Sequence, residues 1–354
     1  MRDDNQILVP AAALEQRVLD ALTEAGASTA SAAAAVRALM HASRVGVDSH
    51  GVRLVEHYCR MLAGGRINKN PQLQVRRTAA SSAMLDGDDG LGHYAAYHAV
   101  ETGIAMARET GVAAIGIEHS SHLGAAGAYA VAGAEQGFIT FATTNTDAMV
   151  ALFDGAQRFH GTNPLAFAAP VPGARPWLLD MATSSIPMNR VLLHRSLGVE
   201  LPPGVAADAK GVSITDPAQV EMLLPLGGEA YGYKGAGLAG VATLFSALLT
   251  GTTLDPDFIP MYGTENVHEP RNMGHFVLVI DPGKFIGGAL FGQAIARYLM
   301  SLRDAPARPG GSAPMAPGDR EWAEAERRNQ EGIPIDPDTA RFLRFLDAAP
   351  GAVR

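Results

Sequence analysis

Short β-rich runs alternate with helical patterns through the middle of the chain, and this alternation limits the folds that the chain can adopt. The β-rich runs cover residues 73–75, 83–85, 112–117, 138–142, 165–169, 177–179 and 276–280. Apolar side chains recur at helical spacing in residues 94–108, 125–136, 237–249 and 285–302. The pattern predicts an α/β or α+β body.

Helical patterns flank this body at both ends of the chain. Residues 14–22, 31–43 and 52–62 predict three N-terminal helices, the last of which ends at a pair of glycines. A linker rich in proline and glycine spans residues 306–317, and short helices are predicted at 320–330 and 339–346. We expect these last helices to pack on the N-terminal ones.

Composition excludes several classes of function. The 354 residues carry a formal charge of −8, whereas nucleic acid and anionic membranes need a basic partner surface. The longest apolar runs are shorter than the roughly 20 residues of a bilayer span, and the N-terminus lacks a signal pattern, so we expect a cytoplasmic protein. Cys59 is the only cysteine, which excludes an internal disulfide and a cysteine-clustered metal site and favours a packing role for its thiol.

The first candidate site is the segment 47–53, which reads VDSHGVR. His50 exchanges a proton near neutral pH, and Arg53 has the bidentate geometry that holds a carboxylate. Together they suit an acid substrate. The alternative is that His50 caps a helix and Arg53 is a solvated surface side chain.

The second candidate is the segment 118–124, EHSSHLG, which follows an apolar strand and precedes a helix. Glu118, His119 and His122 resemble a metal cluster, but zinc needs a further firm ligand that the spacing does not supply. One histidine acting as an acid/base group is the favoured interpretation, and a purely structural loop remains an alternative.

Two glycine-rich segments suggest phosphate binding. The segment 226–237, LGGEAYGYKGAG, predicts a loop that enters a helix, with Lys234 beside backbone N–H groups that would cradle a phosphate. Gly235 after the lysine excludes a Walker A motif, and a helix entry without a ligand is the alternative. The segment 90–95, GLGHYA, matches a dinucleotide fingerprint loosely, but its strand is short and the acidic residue stands too far away.

Six short motifs occur in order along nearly the whole chain. They are DSHG at 48–51, SHLG at 121–124, GTNPL at 161–165, DMATS at 180–184, GYKG at 232–235 and PGD at 317–319. On these motifs the chain resembles the malate/L-lactate dehydrogenase-like family, which includes ureidoglycolate dehydrogenase, 2,3-diketogulonate reductase, sulfolactate dehydrogenase and Δ1-piperideine-2-carboxylate reductase.

The resemblance implies an α+β fold in which a non-Rossmann, mixed-sheet domain binds the nicotinamide cofactor. A helical domain built from the N- and C-terminal segments would pack against it. The expected division is 1–76 for the N-terminal helical part, 77–284 for the cofactor-binding domain and 285–354 for the C-terminal helical part. A homodimer is also implied.

The resemblance further implies the roles of individual residues. His50 matches a histidine named as the proton donor in some members, and His122 matches one named as the proton acceptor in others. The implied substrate-binding residues are Ser49, Arg53, Thr162 and Asn163. The implied cofactor-binding residues are Thr146, Asp180, Met181, Ala182, Lys234, Gly318 and Asp319.

Three positions depart from the family pattern. Leu54 stands where an arginine is often found four residues after the first histidine, and Arg53 lies one position earlier. Arg190 replaces a common lysine, and the pair Asp319 and Arg320 replaces a more usual His-Glu or Glu pair. The first departure affects how a substrate carboxylate is held, and the others bear on the choice between NAD and NADP.

The predicted function is the NAD- or NADP-dependent interconversion of a small 2-hydroxy acid and its 2-oxo acid, with a histidine moving the proton. His50 is the favoured donor during reduction, because Arg53 would present the acid beside it. A cyclic imino acid reductase is the alternative enzyme. A hydrolase using Ser49 or Ser121 is disfavoured because the sequence has no nucleophile elbow, and a non-enzymatic cofactor-binding protein would bind without turnover.

Overall fold

The structure, a computed structural model, describes residues 7–346. Its α-helices are α1 (Ala11–Glu24), α2 (Thr29–Arg44), α3 (Val55–Gly64), α4 (Gly92–Thr110), α5 (Gly127–Ala134), α6 (Met188–Leu197), α7 (Gly228–Thr243), α8 (Gly288–Arg303), α9 (Asp319–Glu331) and α10 (Pro337–Phe342). Its strands are β1 (Ile7–Val9), β2 (Gln74–Ala79), β3 (Ser82–Asp86), β4 (Val112–Ser120), β5 (Ile139–Thr144), β6 (Val150–Ala151), β7 (Arg158–His160), β8 (Leu165–Ala169), β9 (Trp177–Met181), β10 (Ala206–Ala207), β11 (Met222–Leu223), β12 (Met273–Ile280) and β13 (Ile333–Ile335).

A mixed sheet forms the centre of the molecule, with the order β2-β3-β4-β12-β5-β8-β9. Strands β3 and β4 are parallel, β12 is antiparallel to both β4 and β5, and β8 is antiparallel to both β5 and β9. The carboxyl ends of β3, β4, β5 and β9 therefore meet the amino ends of β12 and β8 at one edge. We call this the upper edge, and it is marked by Asp86, Ser120, Met273, Thr144, Leu165 and Met181.

Helices cover both faces of this sheet. α4 and α5 pack on one face through alanine-rich surfaces, which let the helices lie close to the strands. At Gly103 of α4 an added Cβ would lie 2.7 Å from Val279 of β12, so a larger residue there would push the helix away. On the other face, Phe141, Leu165 and Phe276 pack with Ala242 of α7. Burying each large apolar side chain stabilises the fold by about 1.5–3 kcal/mol.

The two ends of the described chain meet beside this body. β1 pairs antiparallel with β13, and residues from α1, α2, α3 and α10 share one apolar core. Arg328 of α9 donates to the Ser43 carbonyl of α2 at 2.7 Å. The expectation that the last helices pack on the N-terminal ones is therefore confirmed. The domain boundaries at 76/77 and 284/285 stay a prediction.

The mixed sheet of an α+β chain is also confirmed, and each of the β-rich runs lies in or overlaps an observed strand. Four features were missed: α6, strands β1 and β13, and a small sheet with the order β10-β11-β6-β7. The strands of the small sheet contain two or three residues each, too few to leave a periodic signal. Among residues 7–346, no helix combines the length and apolar character needed to cross a membrane.

Candidate functional site

His50 lies on a tight turn between two helices. A 3₁₀ turn at Asp48–His50 follows α2, and a second at Val52–Leu54 leads into α3. Between them, Gly51 packs so closely on α2 that an added Cβ would lie 2.2 Å from the Ser43 hydroxyl, which accepts the Val52 N–H at 3.0 Å. The Ser49 hydroxyl lies 2.8 Å from Nδ1 of His50. The turn therefore fixes the position of the His50 ring.

His122 follows β4 at the upper edge and comes close to His50. The two imidazole rings are 5.8 Å apart, centroid to centroid, with 27° between their planes. Nδ1 of His122 lies 2.6 Å from the hydroxyl of Tyr58 in α3 and accepts the Gly124 N–H at 3.3 Å. Two segments that are 72 positions apart in the sequence thus present adjacent imidazoles, both partly buried.

The surrounding protein keeps both imidazoles neutral. Burial lowers the pKa of His50 below its usual 6.5. Burial also holds the pKa of His122 well below 6.5, and nearby groups that oppose added positive charge lower it further. Those groups are, in order of effect, His50, His93, Arg271 and His57. At neutral pH each ring therefore has one nitrogen that donates and one that accepts.

Arg53 and Arg271 differ in exposure and in the groups that they contact. Arg53 is exposed, and its positive charge lowers the pKa of Tyr262 against the larger effect of burial. Arg271 is 6% exposed, forms an ion pair with Asp147 and donates to the Ile259 carbonyl at 2.9 Å. Arg53 is therefore available to a ligand, whereas Arg271 is held by the protein and contributes positive potential near His122.

Thr146 and the 161–165 motif also meet at the upper edge. The Thr146 hydroxyl accepts the Thr162 N–H at 3.1 Å, and the Thr146 N–H donates to the Asn163 side chain at 3.1 Å. Asn163 is fully buried, and its amide also donates to Asp255 at 2.7 Å. The structure thus brings Thr146, Thr162 and Asn163 together, with the amide of Asn163 bonded within the protein.

Asp180, the residue before the last in β9, lies next to the amino terminus of α5. Its carboxylate accepts the Gly127 N–H at 2.9 Å, the position that a helix dipole offers to an anion. Burial raises the pKa of Asp180 to about 6, and the Gly127 N–H opposes that shift. Asp180, Met181 and Ala182 are all partly exposed, so this strand end can contact a ligand.

Gly318 and Asp319 begin α9 close to the same strand. Gly318 has φ +96°, and an added Cβ would lie 3.0 Å from both the Leu178 nitrogen of β9 and the Trp322 indole nitrogen. Asp319 accepts from the Arg303 guanidinium at 2.6 Å and from the Ala316 N–H at 2.9 Å. The Arg303 hydrogen bond accordingly lowers the pKa of Asp319. Arg190, the other departure near this motif, is exposed in α6.

The expected loop at 226–237 is wrong, because most of this segment is helical, whereas the phosphate-binding role of Lys234 stays a prediction. α7 begins at Gly228, so Lys234 lies within the helix rather than at its entry, where free N–H groups are found. At Gly235 an added Cβ would lie 2.3 Å from the Leu226 nitrogen, so this glycine lets the helix pack against the preceding chain. Lys234 itself is exposed, with its ammonium 5.4 Å from the Tyr231 ring centroid.

The candidate metal cluster at 118–124 and the dinucleotide fingerprint at 90–95 contain side chains that bond within the protein. His119 pairs with Asp86 at 3.1 Å. Within residues 7–346, no group of three or more His, Cys, Asp or Glu is arranged to hold a metal ion. Ser121 accepts the Gly92 N–H at 3.0 Å and donates to the Gly90 carbonyl at 2.9 Å, which ties the 90–95 segment to the site.

A tight turn brings the side chains of Ser49 and His50, neighbours in the sequence, to hydrogen-bonding distance. Within residues 7–346, however, no carboxylate hydrogen-bonds to His50 as a hydrolase triad requires. The pair therefore lacks the third group that would orient the imidazole for attack.

Tyr58 and Arg271 were not anticipated from the sequence. Tyr58 lies two helical turns after His50 among apolar residues, and its pattern is that of a core tyrosine. Arg271 stands two residues before β12, and a charged residue just before a buried strand is a signal that would have placed it at the upper edge.

Comparison with known proteins identifies the family. A family model described as malate/L-lactate dehydrogenase matches residues 9–344. The chain is 34% identical to ureidoglycolate dehydrogenase (NAD(+)) of Escherichia coli strain K12, over 93% of each protein. It is 33% identical to malate dehydrogenase of Pyrococcus abyssi, over 94% of this chain and 92% of the relative. The solved malate dehydrogenase of Pyrococcus horikoshii OT3 superimposes with a TM-score of 0.87 at 30% identity, over 98% of this chain and 96% of that one.

Further relatives differ in cofactor and substrate. One is (2R)-3-sulfolactate dehydrogenase (NADP(+)) of Chromohalobacter salexigens, 33% identical over 78% of this chain and 81% of the relative. Another is a Δ1-pyrroline-2-carboxylate/Δ1-piperideine-2-carboxylate reductase of Pseudomonas putida, 32% identical over 88% of this chain and 90% of the relative. With the family model covering nearly the whole chain, this protein belongs to the malate/L-lactate dehydrogenase family of oxidoreductases.

Proposed function

We propose that the protein interconverts a small 2-hydroxy acid and its 2-oxo acid, using NAD or NADP and a histidine that moves the proton. The observation that carries the proposal is the pair of imidazoles of His50 and His122, 5.8 Å apart at the upper edge. Family members named as NAD- and NADP-dependent dehydrogenases of hydroxy acids support it. Carbonyl reduction requires one proton donor in addition to the hydride donor, and an imidazole of this pair can supply that proton.

The residues at the upper edge fit a nicotinamide dinucleotide. The Asp180 carboxylate uses one bond to Gly127 and retains capacity to accept from ribose hydroxyls. The amino terminus of α9 at Gly318 packs on β9 with no room for a side chain. We propose that Thr146, Asp180, Met181, Ala182, Lys234, Gly318 and Asp319 hold the cofactor, with Lys234 near a phosphate and Asp319 acting through its Arg303 pair.

Each residue around the substrate would have its own role in binding or in proton transfer. Arg53, exposed and charged, binds the substrate carboxylate, and Ser49 orients His50. Thr162 lines the site beside Thr146, and Asn163 positions Thr146 through its side-chain oxygen. When bound, the nicotinamide supplies or accepts the hydride. The imidazolium form of His50 gives its proton to the oxygen during reduction, and the neutral form takes a proton from the hydroxyl during oxidation.

The assembly and location follow from this function as proposals. We propose a homodimer, supported by an exposed apolar stripe along α7 and its continuation. The stripe consists of Leu238, Val241, Leu244, Leu248 and Leu249. A surface of this kind is typical of a protein interface. We place the protein in the cytoplasm, where its cofactor would be supplied, and keep the division into 1–76, 77–284 and 285–354.

The test follows the absorbance of NADH and NADPH with a panel of 2-oxo acids and, in parallel, cyclic imino acids. Turnover of a 2-oxo acid that is lost in the His50→Asn variant supports the proposal. Turnover confined to cyclic imines would assign the chain to imino acid reduction, the activity named in one of its relatives. Cofactor binding without any turnover would indicate a non-enzymatic member.

A further inference from the structure

We propose that Tyr58 and the backbone N–H of Gly124 hold His122 in the tautomer that carries its proton on Nε2. In this form His122 donates a hydrogen bond to the reacting oxygen, while His50 alone moves the proton. The inference rests on the proposed function for its catalytic consequence, but the tautomer itself is a property of the protein. Tyr58 thereby becomes a positioning residue.

The Gly124 N–H determines which nitrogen of His122 carries the proton. A backbone N–H only donates, and it points at Nδ1 of His122 from 3.3 Å. Nδ1 therefore has no proton of its own, and in a neutral imidazole the proton must be on Nε2. The Tyr58 hydroxyl, 2.6 Å from the same nitrogen, must then donate as well, since two acceptors do not bond to each other. Both donors share the single lone pair of Nδ1, and the Tyr58 hydroxyl makes the shorter of the two hydrogen bonds.

The environment of Tyr58 supports this direction of donation. Its side chain is fully buried, and burial raises the pKa of the phenol well above 10, so the hydroxyl keeps its proton. His93 packs edge-on against the same ring, 4.7 Å between centroids. Like the other groups around His122, His93 lowers the pKa of that ring and so disfavours an imidazolium there. The remaining groups are His50, Arg271 and His57.

A neutral imidazole with Nε2–H polarises a carbonyl without transferring its proton, because losing that proton would leave an imidazolate. The contacts of His50 do not fix its tautomer, since the Ser49 hydroxyl at its Nδ1 donates or accepts a hydrogen bond equally well. In reduction the carbonyl oxygen therefore gains a proton from the imidazolium form of His50, which has taken that proton from solvent and is left as a neutral imidazole, while the carbon gains the hydride that a bound nicotinamide would supply. In oxidation the hydroxyl proton returns to His50, and His122 keeps its Nε2–H throughout.

The tautomer is tested by ¹⁵N NMR of histidine-labelled protein, with the His122 signals assigned by their loss in His122→Gln. We expect an unprotonated Nδ1 and a protonated Nε2 at pH 7. In Tyr58→Phe, loss of a donor to Nδ1 destabilises the neutral ring, so the titration of His122 shifts to higher pH. Tyr97→Phe removes a hydroxyl from another buried tyrosine, packed on Tyr129 at 4.8 Å, and should leave His122 unchanged. A protonated Nδ1 in the parent, or a downward shift in Tyr58→Phe, would overturn the proposal.

Kinetics test the catalytic consequence separately. A glutamine amide replaces an N–H donor but does not move a proton, so His122→Gln should keep kcat within about tenfold of the parent. His50→Gln should lose about 10²–10⁴ in kcat. Equal large losses, or a pH profile that moves in Tyr58→Phe but not in His50→Gln, would contradict the division of roles. If no substrate is turned over, the proposed function fails, yet the NMR result still decides the tautomer.

Discussion

The carboxylate of Asp48 accepts two hydrogen bonds from the guanidinium of Arg328, at 2.5 and 2.9 Å. Asp48 opens the turn that carries Ser49 and His50, and Arg328 lies in α9 near the other end of the chain. Arg328 is 6% exposed and also donates to the Ser43 carbonyl. The C-terminal segment therefore positions the turn on which His50 depends.

We predict that Arg328→Met lowers both thermal stability and kcat, because it leaves the Ser43 carbonyl unpartnered and frees the His50 turn. Loss of hydrogen bonds to a charged group costs about 1.5–3 kcal/mol. Arg327→Met, on the same helix but bonded to Glu324 and Glu331 on a more exposed surface, is the control and should cost less than about 1 kcal/mol. Thermal unfolding and initial rates measure both effects. Equal stability and activity in the two variants would show that the Asp48 pair does not position the site.

We predict that cofactor affinity depends on pH through the carboxylate of Asp180. Because burial raises the pKa of Asp180 to about 6, its carboxylate becomes protonated as the pH falls through 6 and loses acceptor capacity. Cofactor affinity should therefore be constant above pH 7 and decline below 6. Asp180→Asn should bind more weakly and show no decline over that range. Fluorescence titration with NADH or NADPH measures cofactor affinity at each pH. A pH dependence of affinity that persists unchanged in the variant would assign the protonation to another group.

Lys234→Ala should weaken cofactor binding while leaving the fold intact, because the side chain is exposed. Deleting one charge-assisted contact to a phosphate costs about 1.5–3 kcal/mol, roughly a tenfold to hundredfold loss of affinity. Lys210→Ala removes another exposed lysine and is the matched control. Parental affinity in Lys234→Ala would exclude this lysine from the cofactor site.

Arg53→Ala should raise KM for the acid substrate with little change in cofactor affinity, since only the substrate carboxylate needs the guanidinium. The parent should also discriminate strongly between an acid and its amide, and the variant should not. The measurement compares kcat/KM for the two compounds in both proteins. A variant that still prefers the acid by the parental factor would show that another residue holds the carboxylate.

Much of the fold was readable from sequence because its elements are long and periodic. β4 and α4 carry strong apolar patterns, and their positions were predicted within a few residues. The beginning of α7 was not predicted, because glycine has a low helix propensity and the pattern of the segment 226–237 indicates a loop. Packing overrides that propensity: the glycines let α7 lie against the chain at Leu226 and Pro225.

The candidate site was only partly predictable. His50 and His122 stand in motifs at element ends, so chemistry-bearing residues there were recognisable. That Tyr58 reaches His122 depends on the packing of α3 against the upper edge, over a separation of 64 positions that no local pattern reports. The hydrogen bonds between Asp319 and Arg303 and between Asn163 and Asp255 likewise join distant parts of the sequence or depend on the fold, so no local pattern predicts them.

The central claim, that a histidine of this pair moves the proton of a 2-hydroxy acid reaction, is tested most directly by the pH dependence of kcat for 2-oxo acid reduction. The measurement compares the parent with His50→Asn and His122→Asn. Because reduction needs a protonated His50 and burial lowers its pKa, the parental rate should fall as the pH rises. We expect His50→Asn to lose about 10²–10⁴ in kcat and to flatten that profile, with cofactor affinity unchanged. Near-parental turnover with the same pH profile in both variants would contradict histidine acid/base catalysis in this protein.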